Sequence, residues 1–284
     1  NMKYKFAHFG DVHWRGLTRH DEYRRSFVDA FKTLKKEKVD GIFIAGDIVH
    51  SKTQGISPEL IDSLCWWFRG LSEIAPVYVT LGNHDGLIMN KDREDAISPI
   101  LRALDLPNVY LSKFTETFSV NHEIEATNFS CFDEENWPNA SPKKGKINIA
   151  LFHGAVTGSK TDINWELDGE VDEAFFQGFD FVFLGDIHKH QYLDSENRIA
   201  YCGSTIQQNF GETPGKGFMI WEIENTDVYS SKHVEVKHDM PYVTIDWKGN
   251  VGDTLDEAEE YPDMSRFRIR TNVAISQGEI KQIY

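Results

Sequence analysis

The chain has 284 residues, 40% of them hydrophobic and 26% charged, and a formal charge of −15. That balance excludes a disordered chain, and no apolar run approaches the ~20 residues a membrane helix needs. The acidity taken alone argues against broad nonspecific nucleic-acid binding, although bound cations reverse the local sign of a carboxylate cluster. The length fits one large domain, or a large one with a small one. The N-terminus lacks an apolar core of signal-peptide length, so a cytoplasmic protein is expected. Asn1 ahead of Met2 reads as foreign to the natural chain. Cys65, Cys131 and Cys202 are scattered and odd in number, which suits reduced core cysteines rather than disulfides or a thiolate zinc site.

In chain order, residues 5–9 read as a strand entering Gly10-Asp11. Phe27, Ala30, Phe31 and Leu34 stand at helical spacing and predict a helix over about 21–38. A buried strand over 41–45 runs into Gly46-Asp47. Ser57 caps and Pro58 opens a second helix carrying Leu60, Ile61, Leu64, Phe68 and Leu71. A strand over 76–81 ends in Gly82-Asn83, and Ile97, Ile100, Leu101 and Leu104 mark a third helix. Residues 109–152 read as β-rich and end in His153, and a strand over 180–184 ends in Gly185-Asp186. Further strands are predicted over 198–202, 217–223 and 232–237. From about 240 the pattern changes: 242–247 and 266–270 alternate as solvent-faced strands do, separated by an acidic stretch from Asp253 to Asp263. The predicted domains are therefore 1–239 and 240–284, the second expected to be truncated.

Five apolar runs each end in a polar cluster: Asp11/His13, Asp47/His50, Asn83/His84/Asp85, His153, and Asp186/His188/His190. Runs of this kind suit strands buried on both faces, and ligands of α/β sheets gather at the carboxyl ends of the strands. A single Asp after a strand is usually a turn residue; five such endings converging on one place are a different matter. Carboxylate, imidazole and amide ligands without a thiolate suit Mn²⁺, with Mg²⁺ or Fe²⁺ as alternatives. A carboxylate shared between two such cations holds them ~3.5–4 Å apart, a spacing used for phosphoryl chemistry.

The motifs Gly10-Asp11-Val12-His13, Gly46-Asp47-Ile48-Val49-His50, Gly82-Asn83-His84-Asp85, Phe152-His153-Gly154 and Gly185-Asp186-Ile187-His188 resemble, in order, those of the calcineurin-like metallophosphoesterase superfamily. The segment from Tyr201 through Gly203 to Glu212 resembles that of SbcD-type DNA double-strand-break repair nucleases, phage recombination endonuclease subunits included. The resemblance covers residues 3–224 well and 240–284 weakly. It implies an α/β fold, a β-sandwich of two mixed sheets flanked by helices, followed by the start of a small α+β capping domain. It implies that Asp11, His13 and His188 bind one divalent cation, that Asn83, His153 and Asp186 bind another, and that Asp47 bridges. His84 would face the scissile phosphate, with Asp85 orienting its ring. It implies a DNA exonuclease and single-strand endonuclease working as a homodimer with an SMC-like ATPase of the SbcC type.

The superfamily usually has His where Asp186 stands. Either Asp186 ligates with altered metal preference, or His188 and His190 supply two imidazoles that Asp186 orients, or the second site is weakened. His50 reads equally as a direct or a supporting residue. Trp14 and Arg15 read as either nucleic-acid contacts or packing residues. The helix bearing Leu64 and Trp67, with the one bearing Ile97 and Leu101, reads as a buried pair or as a dimer face. Two rival functions remain: a phosphomonoesterase or cyclic-nucleotide phosphodiesterase of the same fold, and a catalytically weak DNA-end-binding scaffold.

Overall fold

The structure, a computed structural model, describes residues 2–51 and 55–284, so Asn1 lies outside the described residues. One six-stranded sheet is built from β1 (Tyr4–Phe9), β2 (Gly41–Ala45), β3 (Val77–Thr80), β4 (Val109–Ser112), β11 (Gly217–Ile223) and β12 (Tyr229–Glu235). Its order is β12-β11-β1-β2-β3-β4, with β1 to β4 parallel and β11 antiparallel to both neighbours. The second contains β5 (Glu116–Ser119), β6 (Ile124–Phe129), β7 (Ile147–His153), β8 (Phe181–Gly185), β9 (Gln191–Tyr192) and β10 (Ile199–Tyr201). Here the order is β5-β6-β7-β8-β10-β9, parallel from β6 to β10 and antiparallel at both edges. Both sheets are mixed, as the resemblance implies.

The period of two along each strand divides the side chains among three apolar layers. Phe6, Phe43, Tyr78, Ile149, Leu151, Phe183 and Trp221 point between the sheets. Phe9, Ile42, Ile44, Val77 and Val79 point the other way. They meet α1 (His20–Glu37), α2 (Pro58–Ser72) and α3 (Ser98–Leu104) through Phe27, Leu34, Leu64, Trp67 and Ile100. Ala150, Phe152, Val182 and Leu184 form the outer face of the second sheet. Two 3₁₀ turns, Glu134–Asn139 and Glu173–Phe176, cover them with Trp137, Phe175 and Phe176. Each large apolar side chain fully buried in this way stabilises the fold by roughly 1.5–3 kcal/mol.

The predicted start of α2 is observed: Ser57 accepts a hydrogen bond from the Leu60 amide (3.0 Å), and Pro58 occupies the first turn. The helix turns Leu64 and Trp67 inward, each 0% exposed, and Ile97 ahead of α3 is also 0% exposed. Leu101 is partly buried against the same layer. Leu64, Trp67 and Ile97 are therefore core residues and not a dimer face: the apolar helix is explained by the first sheet it covers.

After residue 240 come β13 (Tyr242–Asp246), α4 (Val251–Ala258), β14 (Arg266–Arg270) and α5 (Gln277–Ile283). The strands pair in parallel, a pairing that needs a crossover, and α4 supplies it from part of the acidic stretch read as a separator. Val243 and Ile245 are buried, so β13 is not a purely solvent-faced strand. Gln207 pairs with the backbone of Tyr242 through both ends of its amide (2.8 and 3.1 Å). Arg266 reaches Glu22 on α1. Among the described residues no helix is long and apolar enough to cross a membrane.

Candidate metal centre

The loops that follow β1, β2, β3 and β8, together with the last residue of β7, meet where the two sheets abut. Four of the nine non-glycine residues with positive φ among the described residues lie in these loops: Asp11, His13, Asp47 and Asp186. Such backbone, costing of order 1–3 kcal/mol per residue, persists where surrounding bonds over-determine it. Those bonds are present. Asp11 N donates to Gly46 O (3.0 Å), His13 N to Asp47 O (3.0 Å) and Asp186 N to Asp11 Oδ2 (3.0 Å). The motif glycines permit the approach. A Cβ on Gly82 would sit 2.3 Å from Asp47 Oδ1, and one on Gly185 1.9 Å from Ala45 O.

The resulting cluster places Asp11, His13 and His188 together, and Asp11, Asp47 and His153 together, with ligand atoms of each group within 4.8 Å of one another. His153 Nδ1 hydrogen-bonds Ala45 O (2.7 Å), which turns Nε2 toward Asn83 Oδ1 (3.1 Å), Asp47 Oδ2 (3.2 Å) and Asp186 Oδ1 (3.7 Å). His188 Nδ1 pairs with Glu212 Oε2 (2.8 Å), and its Nε2 lies 3.1 Å from His13 Nε2. Two ligands at right angles on one cation, at ~2.1 Å each, sit ~3 Å apart. The His153–Asn83, His153–Asp47 and His13–His188 separations match that spacing, while Asp186 lies farther from His153 and Asp11 is 4.0 Å from both His13 and His188.

The charges point the same way. Burial, with Asp47 and Asp186 adding to it, pushes the Asp11 carboxyl well above the usual carboxylate range despite His188 and His153. Burial pushes Asp85 up too, and Asp47 adds to it. Asp47 resists the same burial penalty because His153, His13 and His84 hold it low. Carboxylates this buried call for positive charge among them. The donor set of carboxylate, imidazole and amide, each imidazole tethered through its other nitrogen, suits divalent cations.

Several expected roles change. Trp14 is 1% exposed and packs with Tyr23, Phe27 and Trp67 rings 5.0–6.4 Å away, so it cannot stack on a base. Arg15 is partly exposed and donates to His13 O (3.0 Å). Asp85 does not orient the His84 ring. Its carboxylate accepts from Val49 N (3.0 Å) and Gly82 N (2.8 Å), locking two loops together, while His50 O holds His84 Nδ1. His50 thus supports His84 through its backbone, and its ring Nδ1 lies 3.4 Å from His13 Nδ1. His190 stacks on His233 (4.7 Å) and bonds Tyr201 O (2.9 Å), outside every ligand group found among the described residues. Asp186, not His190, turns toward His153.

Glu212 was missed as a site residue. It is 8% exposed and accepts from Ser204 Oγ (2.7 Å) besides binding His188. Burial opposes its ionisation, but His188, Lys216 and Ser204 hold it below the usual range. The one available signal was its position closing the segment that begins at Gly203.

Two mixed sheets with aspartate- and histidine-bearing loops at the shared carboxyl ends of their strands define a metal-dependent phosphoesterase. The family model for calcineurin-like phosphoesterase matches residues 4–190, and the chain belongs to that family. An uncharacterized protein of Acanthamoeba polyphaga mimivirus is 39% identical over 86% of this chain and 19% of its own length. The DNA double-strand break repair protein Mre11 of Halobacterium salinarum is 26% identical over 85% of this chain and 63% of its own. The SbcD component of the nuclease SbcCD from Staphylococcus saprophyticus is 31% identical over 50% of this chain and 39% of its own. The chain thus spans less than two thirds of each of these relatives.

Proposed function

We propose that the chain is a two-metal DNA nuclease of the SbcD and Mre11 kind. The observation that carries this reading is the bond from Glu212 to His188, which ties the nuclease-like segment directly into the metal cluster. The similarity to relatives named as a double-strand break repair protein and a nuclease component supports it. In this reading Asp11, His13 and His188 hold one cation, Asn83, His153 and Asp186 the other, and Asp47 serves both. Divalent cations, Mn²⁺ foremost, would supply Lewis-acid stabilisation of phosphoryl charge and a water of lowered pKa.

The chain's own groups do the rest. Asp47 Oδ1 accepts from the His84 amide (2.9 Å), so the bridging carboxylate and the His84 loop are positioned by each other. His50 O fixes His84 Nδ1, which leaves Nε2 to contact the phosphate and, when protonated, to give its proton to the departing oxygen. Asp85 keeps the two loops in register from behind. A charge of −15 gives the chain little unaided attraction for DNA, so this reading assigns part of its hold on DNA to a dimeric assembly with an SMC-like ATPase partner.

The test is release of nucleotides from end-labelled duplex and single-stranded DNA with Mn²⁺, Mg²⁺ or EDTA. Cleavage in Mn²⁺, none in EDTA and none in Asp47→Ala or His84→Ala is the expected pattern. Turnover of a small phosphodiester or monoester with no action on any DNA would refute the nuclease reading and leave the phosphoesterase intact.

A further inference from the structure

Beside the metal cluster lies an open cleft of about 450 Å³ that the proposed mechanism does not use. It is lined by Asp186 and His188 of the cluster and by Ile163, Trp165, Asn209 and Thr161. Trp165 is 69% and Ile163 60% exposed, at the tip of a hairpin closed by the Lys160–Glu166 bridge and by Thr161 N to Trp165 O (2.9 Å). This tip is anchored to the site. Asp162 accepts from Lys216 Nζ (2.9 Å) and Thr213 Oγ1 (3.2 Å), and Asn164 Oδ1 accepts from Lys189 Nζ next to His188. The ion pair with Lys216 also offsets the Asp162 charge that would repel an anionic ligand in the cleft. An indole left in water on a tethered loop, at the mouth of a phosphate-processing centre, is an arrangement that folding alone does not require.

From this geometry, and resting on the nuclease reading above, we infer that Trp165 is the stacking platform for an unpaired base of the strand being cut. Trp165 and His188 line one cleft, so a nucleotide seated there has its phosphate at the cluster and its base against the indole. Thr161 and Asn209, which line the same cleft, add polar groups beside the indole. A base within a duplex has both faces covered by its neighbours, so an indole at this place selects unpaired nucleotides. Trp165 is a positioning and specificity residue, not a participant in bond breaking.

The test compares a single-stranded oligonucleotide with the same strand carrying abasic sites around the scissile phosphate, in wild type, Trp165→Ala and Trp165→Phe. Stacking on an aromatic side chain typically changes affinity by about ten-fold or more per base. Wild type is expected to prefer the base-bearing strand by about that factor in kcat/KM. Trp165→Ala is expected to cut both strands at the abasic rate, and Trp165→Phe to recover most of the preference. Anisotropy of a labelled oligothymidylate in EDTA is expected to show the same loss and recovery in binding. Equal cleavage of the two strands by wild type, or a Trp165→Ala defect that is the same on the abasic strand, would overturn the platform while the nuclease reading stood. Wild type cutting neither strand nor duplex would bring down both.

Discussion

Glu212 lets the role of a single side chain be tested apart from the ligands themselves. It touches no proposed cation and acts by holding His188 Nδ1 at 2.8 Å, so that Nε2 faces the cluster. Carboxylate partners of ligating histidines typically contribute 10–100-fold to metal affinity or activity. Glu212→Ala is expected to weaken Mn²⁺ binding about that much in a calorimetric titration. Unaltered affinity would mean that Ser204 and Lys216, not the imidazole, are its purpose. Gly82→Ala is a second test at this scale. Its Cβ would fall 2.3 Å from Asp47 Oδ1 and 2.8 Å from His153 Cε1, against side chains that are themselves bonded in place. Overpacking of that kind costs about 1–3 kcal/mol, so a lower urea midpoint together with lost Mn²⁺-induced stabilisation is expected. The five motifs were legible because each stands within a few residues of a strand end. The Glu212–His188 bond was not, because 24 residues separate its partners and nothing local marks the contact. Asp85 misled for the opposite reason: it adjoins His84 in sequence, yet its carboxylate turns to the amides of Val49 and Gly82.

At the scale of the element, α2 shows what an apolar helix can hide. Leu60, Leu64, Trp67 and Leu71 follow helical spacing, and that spacing assigns Trp67 to the inner face with them. Trp66, one position away, is half-buried at the edge, with the Arg24 guanidinium 5.2 Å from its ring centre. Which of two adjacent tryptophans meets the sheet is therefore readable from the period, whereas the apolar character of the helix by itself left a buried pair and a dimer face both open. Trp67→Ala is expected to destabilise the protein by about 3–5 kcal/mol, as large-to-small changes in cores do, with the sedimentation coefficient of the native protein unchanged. A change of association state with little loss of stability would restore Trp67 to an interface. The strands were more legible than the helices' outer faces, since their alternating side chains are buried on both sides and leave no ambiguity of direction. The crossover helix α4 escaped because its acidic sequence reads as a solvated linker until β13 and β14 are seen to be parallel.

Across the whole molecule, one of the junctions between residues after 240 and the phosphoesterase body, besides that of Gln207 with Tyr242, is a buried acid. Glu22 on α1, 2% exposed, receives Arg19 Nε (2.7 Å), His238 Nε2 (2.7 Å) and the guanidinium of Arg266 at the start of β14. Burial alone would raise its pKa, but the hydrogen bonds from His238, Arg266 and Arg19 prevail and hold the carboxyl well below the usual glutamate range. A carboxyl depressed in the folded state stabilises the fold fully above its unfolded pKa and less as pH falls toward the folded one. Removing one member of a buried charged cluster typically costs about 3–5 kcal/mol. Glu22→Gln keeps the shape and some hydrogen bonds, so the lower end of that range is expected near neutral pH. Below an unfolded-state pKa of about 4.3, wild type loses this advantage progressively while the variant, having no proton to gain there, does not. The gap between their urea midpoints is therefore expected to be constant from pH 7 to about 5 and to shrink in more acid solution. A gap that stayed the same down to pH ~3.5, below the unfolded-state value, would show that packing of the side chain, not its charge, joins the two parts of the chain.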